Sequence, residues 1–144
     1  MSPAPATEPR PASSEDFAAF LRAAVAADRK QPVHECLRHR LLARLWESGE
    51  PEEGSTADII FTGPDGTHLF EVLQAERPAY ADLREAATRI AEVRYTLGRS
   101  IDRVFLVCAA APAEHWAVEA VEGAFGASVV WWEDGTWHGL DKTM

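Results

Sequence analysis

The chain has 144 residues, of which 47% are hydrophobic and 26% are charged, which is the balance of an ordinary single globular domain. Against 14 Lys and Arg residues stand 23 Asp and Glu residues, which gives a net charge of -9. This charge has the wrong sign for a free-standing nucleic-acid binder, whose affinity comes mostly from cations that meet phosphates. A local basic face or a basic partner is still compatible with it.

The first residues of the chain differ in composition from the rest. Residues 1–13 are a run rich in Pro, Ala, Ser and Thr, and we expect a disordered tail there and one folded domain over residues 14–144. The tail lacks the basic start and apolar stretch of a secretory signal, and no apolar run approaches the roughly 20 residues of a membrane helix. Cys36 and Cys108 are too few for a disulfide framework, and both lie in apolar patterns that favour buried free thiols. We therefore expect a cytoplasmic protein with no membrane segment.

Helical periodicity predicts two helices at the start of the domain. The first begins at Ser13 or Ser14 and ends near Asp28, and the second covers residues 33–47. An acidic loop of residues 48–55 follows and leaves room for a poor edge strand.

A hairpin comes next, with strands over residues 57–61 and 68–73 on either side of a Gly-Pro-Asp-Gly turn. The later elements are a helix over 78–98, a continuous apolar strand over 104–108, a helix over 112–125 and a last hairpin over 129–138. This order of elements predicts a mixed α/β fold in which helices sandwich a mixed sheet.

Two acids of the first hairpin carry the most informative pattern. Asp58 stands near the start of one strand, and Glu71 precedes Val72 and Leu73 at the end of the other. The pattern Asp58…Glu71-Val72-Leu73 resembles the Asp…Glu-x-Lys signature of the PD-(D/E)XK (restriction-endonuclease-like) nuclease superfamily. The order of elements over residues 33–132 is also the α-β-β-α-β-α-β order seen in that superfamily.

The chain departs from the family pattern at two positions. Ala57 replaces the usual proline, and Leu73 replaces the lysine that helps to position and activate the attacking water. An ammonium group there would stabilise the hydroxide and the charge that develops on the phosphate, and leucine does neither. The two lysines of the chain, Lys30 and Lys142, are poorly placed to substitute for it. The resemblance therefore implies a nuclease fold with damaged chemistry.

The resemblance also implies a divalent metal site. Carboxylates of Glu35, Asp58 and Glu71 would hold Mg²⁺ or Mn²⁺, because such ions take hard oxygen ligands. Asp58 and Glu71 would then be catalytic. Gln74 could orient the attacking water if the strand is bulged by one residue.

Each acid also has a structural interpretation. Asp58 could be a solvated carboxylate where the strand begins, and Glu35 could be an acid that favours the positive end of its helix. Glu71 is awkward in a central strand unless it has a partner. An arginine on or near the following helix, for example Arg77 or Arg84, would serve.

Binding partners are constrained by the position of the charges. Arg38, Arg40 and Arg44 give the second helix a local excess of positive charge, so that weak nucleic-acid binding would depend on them. Otherwise the partner is a protein. Three tryptophans near the C-terminal hairpin could stack on bases, pack in the core or form the surface of a homodimer.

Two functions of different classes follow. The first is a degenerate nuclease-like protein with a binding, regulatory or scaffold role and little or no hydrolytic activity. The alternative is an active Mg²⁺-dependent phosphodiesterase that uses Glu35, Asp58 and Glu71, because a metal alone can lower the pKa of bound water. An enzyme of other chemistry on the same fold is a weaker third, since fold does not fix function.

Overall fold

A computed structural model describes residues 14–54 and 56–140. The expected disordered tail and Lys142 lie outside these ranges. The described residues form α1 (Ser14–Asp28), α2 (Pro32–Leu45), β1 (Glu50–Glu52), β2 (Ile59–Gly63), β3 (Gly66–Val72), α3 (Tyr80–Leu97), β4 (Arg103–Cys108), α4 (Ala117–Phe125), β5 (Ala127–Glu133) and β6 (Thr136–His138).

The strands form one six-stranded sheet in which spatial order follows chain order. β1, β2 and β3 pair antiparallel, β3, β4 and β5 pair parallel, and β6 pairs antiparallel with β5. Parallel neighbours require a crossover, and α3 and α4 supply the two that this sheet needs. The predicted mixed α/β fold is confirmed.

Alternation along the strands divides the core into two parts, one on each face of the sheet. On the first face, the core joins residues of α1, α3 and α4 to alternate residues of the strands, such as Leu69 and Leu106. On the second face, α2 covers the intervening residues, such as Phe70 and Phe105. Helices therefore cover both faces, which is why β4 reads as a continuous apolar strand.

The turn between β2 and β3 is fixed from outside the hairpin. Gly66 has φ +113°, and a side chain added there would collide with the carboxylate of Asp102. That carboxylate accepts the backbone N–H of Thr67 at 2.8 Å. The close approach requires glycine at this position and ties the hairpin to the start of β4.

Some boundaries differ from the sequence prediction. The poor edge strand exists as β1 and pairs with β2. The last helix begins at Ala117 rather than at residue 112. The reason is that Ala113 and Glu114 form hydrogen bonds with Pro78, just before α3, and with Tyr80, the first residue of α3. The N–H of Ala113 donates to the carbonyl of Pro78 at 2.8 Å, and Glu114 accepts the N–H of Tyr80 at 2.8 Å.

Two further expectations concern the environment of the chain. Cys108 is buried as expected, whereas Cys36 is exposed, because it lies on the side of α2 away from the sheet. Within residues 14–54 and 56–140, none of the helices combines the length and the apolar character needed to cross a membrane.

Candidate acidic site

The β2–β3 hairpin brings Asp58 and Glu71 together. Ile59 pairs with Phe70 in the antiparallel register, so the next facing pair along the two chains is Asp58 and Glu71. Opposed residues of such a pair point to the same face. The Asp58 side chain is 0% exposed and Glu71 is 4% exposed. Two acids that sequence analysis assigned to one site are therefore neighbours in a nearly dry environment.

The two oxygens of Asp58 have different surroundings. Oδ2 accepts the backbone N–H of Val72 at 2.8 Å, which joins the two strands beyond their last ladder pair. Oδ1 lies 3.2 Å from Nε2 of His34. Neither Oδ1 nor that Nε2 has a well-aligned hydrogen bond to any part of the chain that the structure describes. A buried donor and acceptor in this condition are a sign of a missing partner.

His34 comes from the first turn of α2 and is completely buried. Burial acts to lower its pKa, but the contacts with Asp58 and Glu35 outweigh it, and the pKa of His34 is raised overall. Nδ1 of the ring lies 3.0 Å from Oε2 of Glu35. A carboxylate on one ring nitrogen fixes the orientation of the other, so Glu35 aims Nε2 of His34 at Asp58.

Glu35 itself faces away from the other acids. Its two oxygens accept bonds from Arg38, at 2.9 Å to Nε and 2.7 Å to Nη2. This bidentate pair, with a smaller contribution from His34, lowers the pKa of Glu35 to about 2. Arg38 also donates to Glu53. The structure thus places Glu35 against His34, and the imidazole of His34 lies between Glu35 and Asp58. The role of Glu35 as a metal ligand stays a prediction.

The end of α1 supplies a third buried acid, Asp28. Its Oδ2 lies 2.5 Å from Nη1 of Arg89, which stands on α3. Its Oδ1 accepts a bond from the amide of Gln74. Gln74 is therefore bonded to a carboxylate, and its role in orienting a water stays a prediction.

Arg89 also contacts Glu71. Its Nε lies 3.4 Å from Oε2 of Glu71, whereas Arg77 and Arg84 are exposed. Glu71 therefore pairs with an arginine of the following helix, as the structural interpretation of this acid expected. The arginine is Arg89, and not Arg77 or Arg84. Burial, followed by repulsion from Asp58, raises the pKa of Glu71 well above its usual value, and Arg89 opposes this only in part.

A pocket of about 220 Å³ opens over Asp28, Glu71 and Arg89. Its wall includes Leu73, which is 6% exposed and belongs to the part of the core that α1, α3 and α4 cover. An apolar side chain thus occupies the position that the family gives to lysine. The residues that line the pocket are Asp28, Glu71, Val72, Leu73, Gln74, Ala75, Asp82, Glu85, Ala86 and Arg89.

The donor set fits a divalent cation. Asp28, His34 and Asp58 each offer one ligand atom, and these three atoms lie within 4.8 Å of one another. Two members of this group, Asp58 and His34, each carry a buried atom without a well-aligned hydrogen bond to the described residues, Oδ1 and Nε2 respectively. A mixture of carboxylate oxygens and one imidazole suits Mn²⁺ and other divalent ions of the first transition row.

Three members of this site were not assigned to it from the sequence. Asp28 marks the end of the first predicted helix, and no pattern in the sequence links His34 or Arg89 to the two strand acids. The available signal was the position of His34 next to Glu35 at the start of α2, the helix that the resemblance already brings to the site.

Comparison with known proteins yields one distant match. No protein-family model and no curated protein matches the chain. Among solved structures, the chain is similar to a repair endonuclease from Pyrococcus abyssi, with a TM-score of 0.45 and 17% identity. The matched part covers 66% of this chain and 45% of that one, so this chain spans less than half of the endonuclease. A likeness this distant assigns no activity.

Proposed function

We propose that this protein is a degenerate PD-(D/E)XK nuclease-like module with a binding, regulatory or scaffold role and little or no hydrolytic activity. One observation carries the proposal: the guanidinium of Arg89 lies against Asp28 at 2.5 Å and Glu71 at 3.4 Å. The guanidinium of Arg89 thus pairs with carboxylates that would have to bind a metal ion if the protein were to hydrolyse phosphodiesters. The resemblance of the hairpin motif supplies the nuclease-like part of the proposal.

The chemistry of phosphodiester hydrolysis supports a weak or absent activity. The reaction needs an activated water and positive charge on the phosphate, both at a place that the substrate can reach. Asp58 is 0% exposed and Glu71 is 4% exposed, so neither carboxylate faces the solvent. Leu73 cannot donate a hydrogen bond, and an arginine such as Arg89 does not give up its proton. Among the residues that line the pocket, none provides an ammonium group.

The charges on α2 support a weak interaction with nucleic acid. Arg38 is engaged by Glu35 and Glu53, so it has little charge to offer a phosphate. Arg40 stacks over the ring of Trp132 at 4.5 Å, and Arg44 donates to Ser48 in the turn after α2, and both arginines stay near the surface. We therefore expect weak, salt-sensitive and sequence-indifferent binding, or a protein partner in its place.

The second candidate is an active metal-dependent phosphodiesterase. It is favoured by the convergence of Asp28, His34 and Asp58, which provides donors for Mn²⁺ or Mg²⁺. Bound metal would supply the acidity of a water ligand. In this version Glu35 also orients the ring of His34. The metal-ligand roles that the resemblance implies for Glu35, Asp58 and Glu71 remain a prediction.

A nicking assay decides between the two. Supercoiled plasmid and labelled single strands are incubated with the purified chain in Mg²⁺ and in Mn²⁺, with Asp58→Asn as the matched control. We expect cleavage no greater than that of the control. Metal-dependent cleavage that disappears in Asp58→Asn would establish the phosphodiesterase instead.

Several parts of this proposal come from sequence alone. They are the cytoplasmic location, the extent of the domain over residues 14–144, and the homodimer through the C-terminal hairpin. Sedimentation of the purified chain tests the last of these.

A further inference from the structure

We propose that Arg89 and a divalent cation compete for the buried carboxylate of Asp28, so that Arg89 is a built-in counter-ion that masks a cation site. Asp28 connects the two halves of the argument. It pairs with Arg89 at 2.5 Å, and it is also one of the three residues whose ligand atoms lie within 4.8 Å of one another. A cation held by Asp28, His34 and Asp58 would therefore meet the guanidinium at close range.

Arg89 reaches only part of the buried acidic cluster. Three carboxylates, those of Asp28, Asp58 and Glu71, are almost completely buried. The guanidinium reaches Asp28 and Glu71. Asp58 Oδ1 and His34 Nε2 are left facing each other at 3.2 Å with no proper hydrogen bond within the described chain. These two completely buried and unsatisfied atoms point to a ligand that the guanidinium does not replace.

Arg89 is itself imperfectly held. Its Nε and Nη2 are buried and make no well-aligned hydrogen bond to the residues that the structure describes. A guanidinium has five donors in a fixed plane, and here few of them are satisfied. Like charges at close range repel strongly in a buried site, because the effective dielectric constant there is low. A divalent ion and Arg89 would therefore not contact Asp28 at the same time.

The structure also offers Arg89 a second position. Its side chain, which is 21% exposed, lines both the acidic pocket and a neighbouring groove of about 520 Å³ between α1 and α3. Glu85 and Glu92 line that groove, one turn before and one turn after Arg89 on the same helix. Acids at these spacings are within reach of an arginine side chain. Rotation of the side chain would exchange one set of carboxylates for another and open the pocket.

The test measures cation binding, not hydrolysis. Mn²⁺ binding by the full chain is followed by electron paramagnetic resonance and by calorimetry, for wild type, Arg89→Gln and the control Arg99→Gln, which removes a 41% exposed arginine just after the same helix. We expect Arg89→Gln to bind Mn²⁺ at least tenfold more tightly than wild type, and Arg99→Gln to match wild type. Equal affinity in Arg89→Gln and wild type, or no binding in either, would overturn the proposal.

A further variant probes this second position. Glu92 lines the groove but not the acidic pocket, so Glu92→Gln should weaken Mn²⁺ binding when Arg89 is present and have no effect in the Arg89→Gln background. Equal weakening in both backgrounds would show that Glu92 attracts the ion directly, which contradicts an exchange of Arg89 between sites.

Removal of Arg89 leaves buried carboxylates unbalanced, so Arg89→Gln could fail to fold without metal. For that case the wild-type chain is titrated with Mg²⁺ while the Nε–H resonance of Arg89 is followed by nuclear magnetic resonance. Displacement of Arg89 moves that resonance in step with cation binding. An unchanged resonance at saturating Mg²⁺ would exclude competition.

This inference rests on the proposed function only for the location of the site. Plasmid cleavage by wild type would refute the degenerate assignment and leave the competition intact. Unchanged cation affinity in Arg89→Gln would refute the competition and leave the degenerate assignment intact.

Discussion

Asp58 accepts the backbone N–H of Val72 at 2.8 Å, so the acid at the start of one strand closes the end of the other. One carboxylate thus has a structural bond through Oδ2 and a site contact with His34 through Oδ1. The two roles are separable by substitution, because asparagine retains an acceptor oxygen and alanine does not.

We predict that Asp58→Asn is more stable than Asp58→Ala by about 1 kcal/mol, the net contribution of one hydrogen bond. Both changes remove the charge next to Glu71, so the difference between them isolates the bond to Val72. Urea unfolding with equal m-values in both variants measures it. Two variants of equal stability would mean that the Val72 N–H finds another acceptor.

Glu71 gives a prediction about neutral pH. Burial and repulsion from Asp58 raise its pKa in the folded chain well above 4.5. A raised pKa means that folding favours the protonated acid, so this stabilisation is complete below pH 4.5 and is lost as the pH rises through the folded value. Glu71→Gln cannot ionise, and we expect its melting temperature to exceed that of wild type by a few degrees at pH 7.

The excess stability of Glu71→Gln should shrink as the pH falls through 4.5, because below that pH wild-type Glu71 is protonated in both the folded and the unfolded state. Melting temperatures at a series of pH values measure the trend. Glu85→Gln, on the rim of the same pocket, is the control and should show no such convergence. A Glu71→Gln variant less stable than wild type at pH 7 would show that the contact with Arg89 outweighs burial.

Glu35 gives the opposite pH dependence. The bidentate contact with Arg38 lowers its pKa to about 2 from 4.5. The stabilisation is therefore present above pH 4.5 and is lost as the pH falls toward 2. We expect Glu35→Gln to be less stable than wild type at pH 7 and to lose less stability between pH 4.5 and pH 2.

The effect of Glu35→Gln should be modest, because its carboxylate is 26% exposed and partly screened by solvent. Glu119→Gln, an exposed acid on α4, is the control for general acid effects. Parallel acid-unfolding curves for Glu35→Gln and wild type would contradict the assignment of Glu35 to the pair with Arg38.

Leu73 tests what hydrolysis has lost. Leu73→Lys would place an ammonium group in the wall of the acidic pocket, on the same strand face as Glu71. We expect it to raise metal-dependent nicking of plasmid DNA, and we expect a larger gain in combination with Arg89→Gln, which frees the carboxylates. Leu73→Met is the control for changes of packing. No gain in either background with Mg²⁺ or Mn²⁺ would show that more than the lysine is missing.

The fold was predictable because its signals are local. Periodicity located every helix, and the Gly-Pro-Asp-Gly turn located the hairpin that brings Asp58 to Glu71. The start of α4 was placed too early, because bonds from Ala113 and Glu114 to the beginning of α3 are tertiary and leave no trace in the periodicity.

The composition of the site was less predictable, for the same reason. Asp28 and Arg89 belong to different helices, and their contact depends on how those helices cross the sheet. The resemblance pointed to Glu35 and not to its neighbour His34, but rotation along α2 turns the imidazole of His34 toward Asp58 and the carboxylate of Glu35 toward Arg38. A motif identifies the strand acids, and only the packing identifies their partners.

The distance along the chain between Asp28 and Arg89 has a consequence for folding kinetics. Contacts between distant segments form only after the entropy of closing the intervening loop has been lost, so they tend to form late. The acidic pocket therefore does not exist until α1 has docked against α3. Before docking, its carboxylates are hydrated. The burial that raises the pKa of Glu71 is complete only after that step, so the raised pKa should emerge with native α1 protection in hydrogen-exchange experiments on the refolding chain.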